Sequence, residues 1–166
     1  TTLSDGWYVV KGSVLLMSKI TVNGTVHLIL SDKASLSVPG VQLSKDNSLT
    51  IYAQSTDSDT MGSLISTSAT LGQAAIGGYK GGSGTLVING GVISATSTQS
   101  FSAAIGCGSS SAYASAYSCD PITINGGVVT ASSGANAAAI GGSMNSPGCT
   151  VVVNGGIVTA TAGRNG

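Results

Sequence analysis

The sequence predicts an all-β protein, and three observations say of what kind. The first is a repeat: "LVINGGVISATS" from Leu86 returns as "ITINGGVVTASS" from Ile122 and as "VVVNGGIVTATA" from Val151. The second is composition. The apolar share is 42% and rich in Val and Ile, charged residues make up only 7%, and Gly, Ser, Ala and Thr dominate. Disorder needs low hydrophobicity, so this mixture points instead to strands joined by small-residue turns. The third is that no segment carries an amphipathic helical period of useful length. A unit of short strands cannot bury its apolar side alone, but stacked on copies of itself at about 4.8 Å per layer it can. Each strand then pairs in parallel with its equivalent in the next layer. The predicted architecture is a parallel β-helix, right-handed because parallel crossovers strongly prefer that hand.

Each element follows from two alternating motifs. V/I-N-G-G-V/I is centred on Asn89, Asn125 and Asn154, and A-A-I-G runs from Ala74 to Gly77, Ala103 to Gly106 and Ala138 to Gly141. Asn125 to Asn154 is 29 residues, and so is Ile76 to Ile105. Asn89 to Asn125 is 36, and the surplus of seven falls between Ile105 and Ile122, where "SSSAYASAYS" is inserted. A unit reads as strand, Gly-Gly turn, strand, loop, short strand, loop. In one copy Leu86 and Ile88 alternate with Val87, the chain turns at Gly90-Gly91, and Val92 to Thr96 forms the next strand. "TVHLILSDKASLSV" and "SLTIYAQS" read as less regular rungs, with Leu28 and Leu49 about 21 residues apart in equivalent places. "GWYVVKGSVLLMSKITV" has the bulk of an N-terminal capping rung, which covers the core's open end and blocks edge pairing.

At 166 residues the chain is expected to be one β-helix domain, with capping and irregular rungs over 1–46 and repeat rungs over 47–166. A chain of this size can bury roughly 70% of its unfolded surface, so it needs no metal or disulfide merely to fold. It ends "TAGRNG" directly after a repeat, with no cap like that at the other end, so the rungs are expected to continue in a longer parent chain. The absence of an initiator Met and of a signal peptide reads as a mature protein or an excised fragment.

The opening "LSDGWYVVKGSV…ITVNGTVHLIL", followed by "AAIGG" and "INGGV" units, resembles secreted bacterial β-helical repeat proteins. Such proteins are often described as carbohydrate-binding domains or cell-surface adhesin segments. The resemblance covers most of the chain and implies an extracellular or cell-surface location, with a polysaccharide or cell-surface glycan as partner. It carries over no catalytic residues.

Composition excludes most other functions. Net charge is zero and the basic residues are scattered, whereas a nucleic-acid binder needs clustered Lys and Arg. No apolar run reaches the length of a membrane span. Glu is absent, and between Gly81 and Gly163 the one charged residue is Asp120. Glycosidases need two carboxyl groups, which the repeat half does not supply, and a polysaccharide lyase needs a base and charge-neutralising groups. The single His, His27, sits in "VHLIL" as a packed or solvent-facing strand residue, and no G-x-S-x-G elbow is present. The chain is therefore not expected to be an enzyme.

Several residues remain as candidate sites. Asn89, Asn125 and Asn154 should form one structural column, inward-facing and bonded to one another and to turn backbone. Tyr113 and Tyr117 in the insertion, with Tyr79 in "GGYKGGSG", offer an apolar face and a polar tip on loops, as a sugar-stacking site does. Asp57 and Asp59 in "STDSDTMG" can donate oxygens to Ca²⁺, though the ligand set is incomplete and an ordinary polar loop is the alternative. No other cofactor is expected. Cys107 and Cys119 flank the insertion, and a disulfide there closes a loop worth about 3 kcal/mol. Alternatively Cys119 and Cys149 bridge adjacent rungs, and either choice leaves one thiol free.

The second strand of each repeat adds two hydroxyl columns separated by Ala: Ser94, Thr130 and Thr159, and Thr96, Ser132 and Thr161. They resemble the T-x-T arrays of ice-binding solenoids but are also ordinary cross-strand pairs. The expected function is a non-catalytic, stiff surface module that binds glycan through its loops. The alternatives are a structural stalk assembling end to end with like modules, and an ice-binding solenoid.

Overall fold

A computed structural model describes residues 1–109, 118–144, 146 and 148–166. Tyr113 and Tyr117 lie outside the described residues. Within them the chain forms eighteen strands and no helix, arranged as six three-stranded rungs. Rung 1 holds β1 (Thr2–Leu3), β2 (Gly6–Val10) and β3 (Ser13–Leu15), and rung 2 holds β4 (Ile20–Val22), β5 (Thr25–Leu30) and β6 (Ser35–Val38). Rung 3 holds β7 (Val41–Leu43), β8 (Ser48–Ala53) and β9 (Ser63–Ser68), and rung 4 holds β10 (Ile76–Gly77), β11 (Thr85–Ile88) and β12 (Val92–Ser97). Rung 5 holds β13 (Ile105–Gly106), β14 (Ile122–Ile124) and β15 (Val128–Ser132), and rung 6 holds β16 (Ile140–Gly141), β17 (Val151–Val153) and β18 (Ile157–Thr161).

The first strands of all rungs form sheet I, the second strands sheet II and the third strands sheet III, each six-stranded in rung order. Every strand pairing is parallel, so the Gly-Gly corners turn the chain from one sheet to the next and make no hairpins. This is a parallel β-helix.

The two-residue period of a strand decides what fills the interior. Along sheet II the inward column runs Leu28, Ile51, Ile88, Ile124 and Val153. Along sheet III it runs Val14, Leu36, Leu64, Ile93, Val129 and Val158. Along sheet I it runs Ile20, Val41, Ile76, Ile105 and Ile140. These columns make one continuous core. Leu3, Tyr8, Val14 and Leu16 of the N-terminal end pack against it, and the Tyr8 hydroxyl is tied to the Ser4 backbone.

The register of the early rungs differs from expectation. Leu28 pairs with Ile51, and Leu49 with Val26, a spacing of 23 residues (26 to 49, 28 to 51). The loops between strands set that number, and strand periodicity alone does not contain it.

Glycine explains the second motif. Gly77 and Gly106 sit at φ 144° and 130°, and a Cβ on either would collide with the carbonyl oxygen of the glycine one rung on, Gly106 and Gly141 respectively. Only a residue without a Cβ lets adjacent rungs close to pairing distance there.

Candidate functional site

The outer face of sheet II carries the largest gathering of aromatic side chains among the described residues. Period two and the register place Trp7, His27, Thr50, Val87, Thr123 and Val152 in one outward column, and Val9, Ile29 and Tyr52 in the next. Trp7 and His27 are cross-strand partners with ring centroids 4.2 Å apart and planes at 14°. Trp7 also leans along the solenoid axis, bringing its ring centroid to 5.3 Å from that of Tyr52, two rungs away. His27 Nδ1 lies 3.5 Å from the Tyr52 hydroxyl. Trp7 remains 62% exposed. The result is a solvent-facing aromatic platform spanning rungs 1 to 3. The signal for it lay in "GWYVV", "TVHLIL" and "SLTIYA", but it needs the pairing register to be read.

The asparagine column continues the same strip. The Asn89 amide donates to the Ile51 carbonyl at 2.8 Å, which seats Asn89 beside Tyr52. Asn125 Nδ2 donates to Asn89 Oδ1, and Asn154 Nδ2 to Asn125 Oδ1, both at 2.8 Å. The column forms as expected, but all three side chains are exposed and not inward. The alternation that buries Ile88, Ile124 and their equivalents puts the following residue on the outside. A second ladder lies at a different corner, where Asn165 Nδ2 donates to Asn136 Oδ1 at 3.4 Å. Both of those residues hold φ near 60°, a conformation asparagine tolerates.

Beside the first ladder runs a groove of about 420 Å³. Asn89, Asn125, Gly126 and Ile157 line one side, and Ser55 and Met61 of the loop between β8 and β9 line the other. Platform, amide ladder and groove thus follow one another along the solenoid: an apolar stacking surface, then a row of amides, then a trough.

Asp57 and Asp59 lie in that loop, both exposed. Asp57 Oδ1 accepts the Asp59 amide at 3.0 Å, and the Asp57 carbonyl accepts the amides of Thr60 and Met61. Asp57 therefore shapes a tight Asx-type turn. Among the described residues no third carboxylate, His or Cys gathers with the pair.

Tyr79 follows β10, at the corner between sheets I and II. Lys19 Nζ lies 4.6 Å and Lys80 Nζ 5.2 Å from its ring centroid, so two cations contact the ring. Lys19 also donates to Gln42 Oε1 at 2.5 Å. The ends of the insertion reach the same corner. Gly108 bridges Gly81, Lys45 Nζ donates to Ser118 Oγ at 2.9 Å, and the Asp120 amide donates to the Ser83 carbonyl at 2.9 Å.

Cys107, Cys119 and Cys149 converge here, with all three sulfurs within 4.8 Å of one another. Cys119 lies within bonding reach of both others. Both expected pairings are thus geometrically present around one sulfur. On sheet III, the columns Ser94–Thr130–Thr159 and Thr96–Ser132–Thr161 stand in register on the outer face, with Ala95, Ala131 and Ala160 between them.

A protein-family model described as Beta helix repeat matches residues 86–109 and 122–144, which span β11 to β13 and β14 to β16. The chain is a β-helical repeat protein. No curated protein and no solved structure matches it. A β-helical repeat fold can serve as a structural or binding scaffold, because its long parallel faces hold side chains at a fixed spacing along the axis. No helix among the described residues is long and apolar enough to cross a membrane.

Proposed function

We propose that this β-helical repeat protein is a non-catalytic, extracellular or cell-surface scaffold that binds glycan along the outer face of sheet II. The observation that supports this best is the exposed Trp7, stacked on His27 and within ring-contact distance of Tyr52. A sugar ring offers one apolar face and a rim of hydroxyls. An exposed aromatic surface takes the face, and the amides of Asn89 and Asn125 next along the strip take hydroxyls. Low charge across the chain suits a surface that avoids nonspecific electrostatic contact, and cysteines gathered at bonding distance suit an oxidising compartment. Tyr79, with two lysines at its ring, fits a supporting role at the neighbouring corner better than the first stacking contact.

The test is a glycan array, followed by titration of any hit on the intrinsic fluorescence of Trp7, the one tryptophan in the chain. Trp7→Ala should weaken binding by about 2 kcal/mol, roughly thirtyfold, as an aromatic hot spot does. Binding unchanged in Trp7→Ala and Tyr52→Ala would reduce the platform to a cross-strand stack that stabilises the sheet.

A second reading, a structural segment that stacks on like rungs, rests on a different observation. Val153 holds the register position of Ile88 and Ile124, which are 0% exposed, yet is itself 53% exposed. The face formed by Val151, Val153 and β18 fits a β-helical rung of a neighbouring molecule. Concentration-dependent sedimentation that Val153→Lys abolishes would favour it. The hydroxyl columns of sheet III support ice binding less, because only three rungs carry both of them: one rung earlier Thr67 continues the second column, but Ile65 ends the first.

A further inference from the structure

We infer that Cys107, Cys119 and Cys149 form a thiol–disulfide exchange site, in which Cys119 changes partner between a loop-closing and a rung-linking disulfide. Cys107 leaves β13 and Cys119 leads into β14, both in rung 5, while Cys149 leads into β17 of rung 6. The Cα of Cys119 lies 6.2 Å from that of Cys107 and 4.7 Å from that of Cys149. Both separations fall inside the range a disulfide spans without backbone movement, about 4.4 to 6.8 Å. A sulfur holds one disulfide at a time. Whenever Cys119 is paired within the chain, the third cysteine therefore sits beside that disulfide, within 4.8 Å, as the attacking group exchange requires.

The backbone holds the three in place. The Cys107 amide donates to the Gly141 carbonyl at 3.0 Å, across rungs 5 and 6. Asp120, next to Cys119, is fixed through its amide to Ser83 of rung 4. Gly106 leaves room for the third sulfur, since a Cβ there would stand 3.2 Å from Cys149 Sγ. The insertion seen in the sequence thus brings back a cysteine to meet partners in two rungs.

The exchange needs no outside oxidant. Starting from the Cys119–Cys149 disulfide, the Cys107 thiolate attacks Cys119 Sγ. The Cys107–Cys119 bond forms, the Cys119–Cys149 bond breaks, and Cys149 leaves as thiolate, taking up the proton that Cys107 released to solvent. The two states differ in which thiol they present. Cys107 is fully buried, whereas Cys149 is partly exposed. The rung-linking state hides its thiol. The loop-closing state ties the ends of the insertion together and offers Cys149 to a thiol-reactive partner.

The test uses the full chain equilibrated in a glutathione redox buffer. No Lys or Arg lies between Lys80 and Arg164, so trypsin leaves all three cysteines in one peptide. Acid quenching with pepsin digestion both freezes exchange and cuts between them. Both linkages should be found by mass spectrometry. Maleimide added to the native protein before quenching should then modify Cys149 and drive nearly all molecules to the Cys107–Cys119 linkage. Cys107→Ser and Cys149→Ser should each fold, by circular dichroism, and each form the one linkage left to it. A single linkage that maleimide does not redistribute, three reduced thiols with or without bound zinc, or only intermolecular disulfides would overturn the inference.

Discussion

Replacing Gly106 with Ala should damage the protein far more than replacing Gly141, although both hold the same place in the A-A-I-G motif. Their backbones are alike, with φ 130° and 134°, so each substitution forces an L-residue into a conformation costing about 1–3 kcal/mol. The surroundings differ. A Cβ on Gly106 would collide with the carbonyl oxygen of Gly141, while the nearest atom to a Cβ on Gly141 is Ala138 Cβ at 3.5 Å, an ordinary contact. To relieve the collision rungs 5 and 6 must part locally. The bonds lost are those from the Cys107 amide to the Gly141 carbonyl, at 3.0 Å, and from the Ile105 amide to the Ala139 carbonyl, at 2.9 Å. At about 1 kcal/mol each these add about 2 kcal/mol, for a total of about 3–5 kcal/mol. Thermal unfolding followed by circular dichroism reads the difference. For a chain of this size 1 kcal/mol moves the midpoint by about 2–4 °C, so Gly106→Ala should melt some 4–8 °C below Gly141→Ala. Gly77→Ala is the control, since a Cβ there meets only Gly106 backbone as its nearest atoms and no cysteine sulfur. It collides with Gly106 in the same way and should match Gly106→Ala. Equal midpoints for Gly106→Ala and Gly141→Ala would refute the idea that rung-to-rung backbone approach selects glycine here.

Other outcomes follow from the columns. Asn125 takes part in two amide–amide bonds and Asn154 in one, so in chemical denaturation Asn125→Ala should cost about twice as much as Asn154→Ala, about 1–2 kcal/mol at these exposed positions. Ile88→Ala should cost about 2–5 kcal/mol, because Ile88 is fully enclosed by its neighbouring rungs, while Val153→Ala at the same register position should cost under about 1 kcal/mol. Fluorescence of the folded protein should show Trp7 readily quenched by acrylamide, and more so in His27→Ala, which removes the ring stacked on it.

What the sequence determined by itself was the rung. Alternation of Leu86, Val87 and Ile88, the Gly-Gly corner and the 29-residue return were enough to assign three strands per repeat and parallel pairing, because each is a local pattern read along one strand. Tertiary structure decided which positions of unequal rungs face each other. Leu28 meets Ile51 and not Leu49, because loop lengths between strands fix the register and differ from rung to rung. The same cause hid the platform. Trp7, His27 and Tyr52 are far apart in sequence and become neighbours once rungs of different lengths are laid in register. The asparagines were recognised as a column, but their outward direction depended on whether strand alternation carries through to the corner residue, and it does. The cysteines had two readings from spacing alone. Only the closing of the insertion's ends over rung 6 brought all three sulfurs to one point, because a solenoid places in contact residues that the chain keeps a whole turn apart.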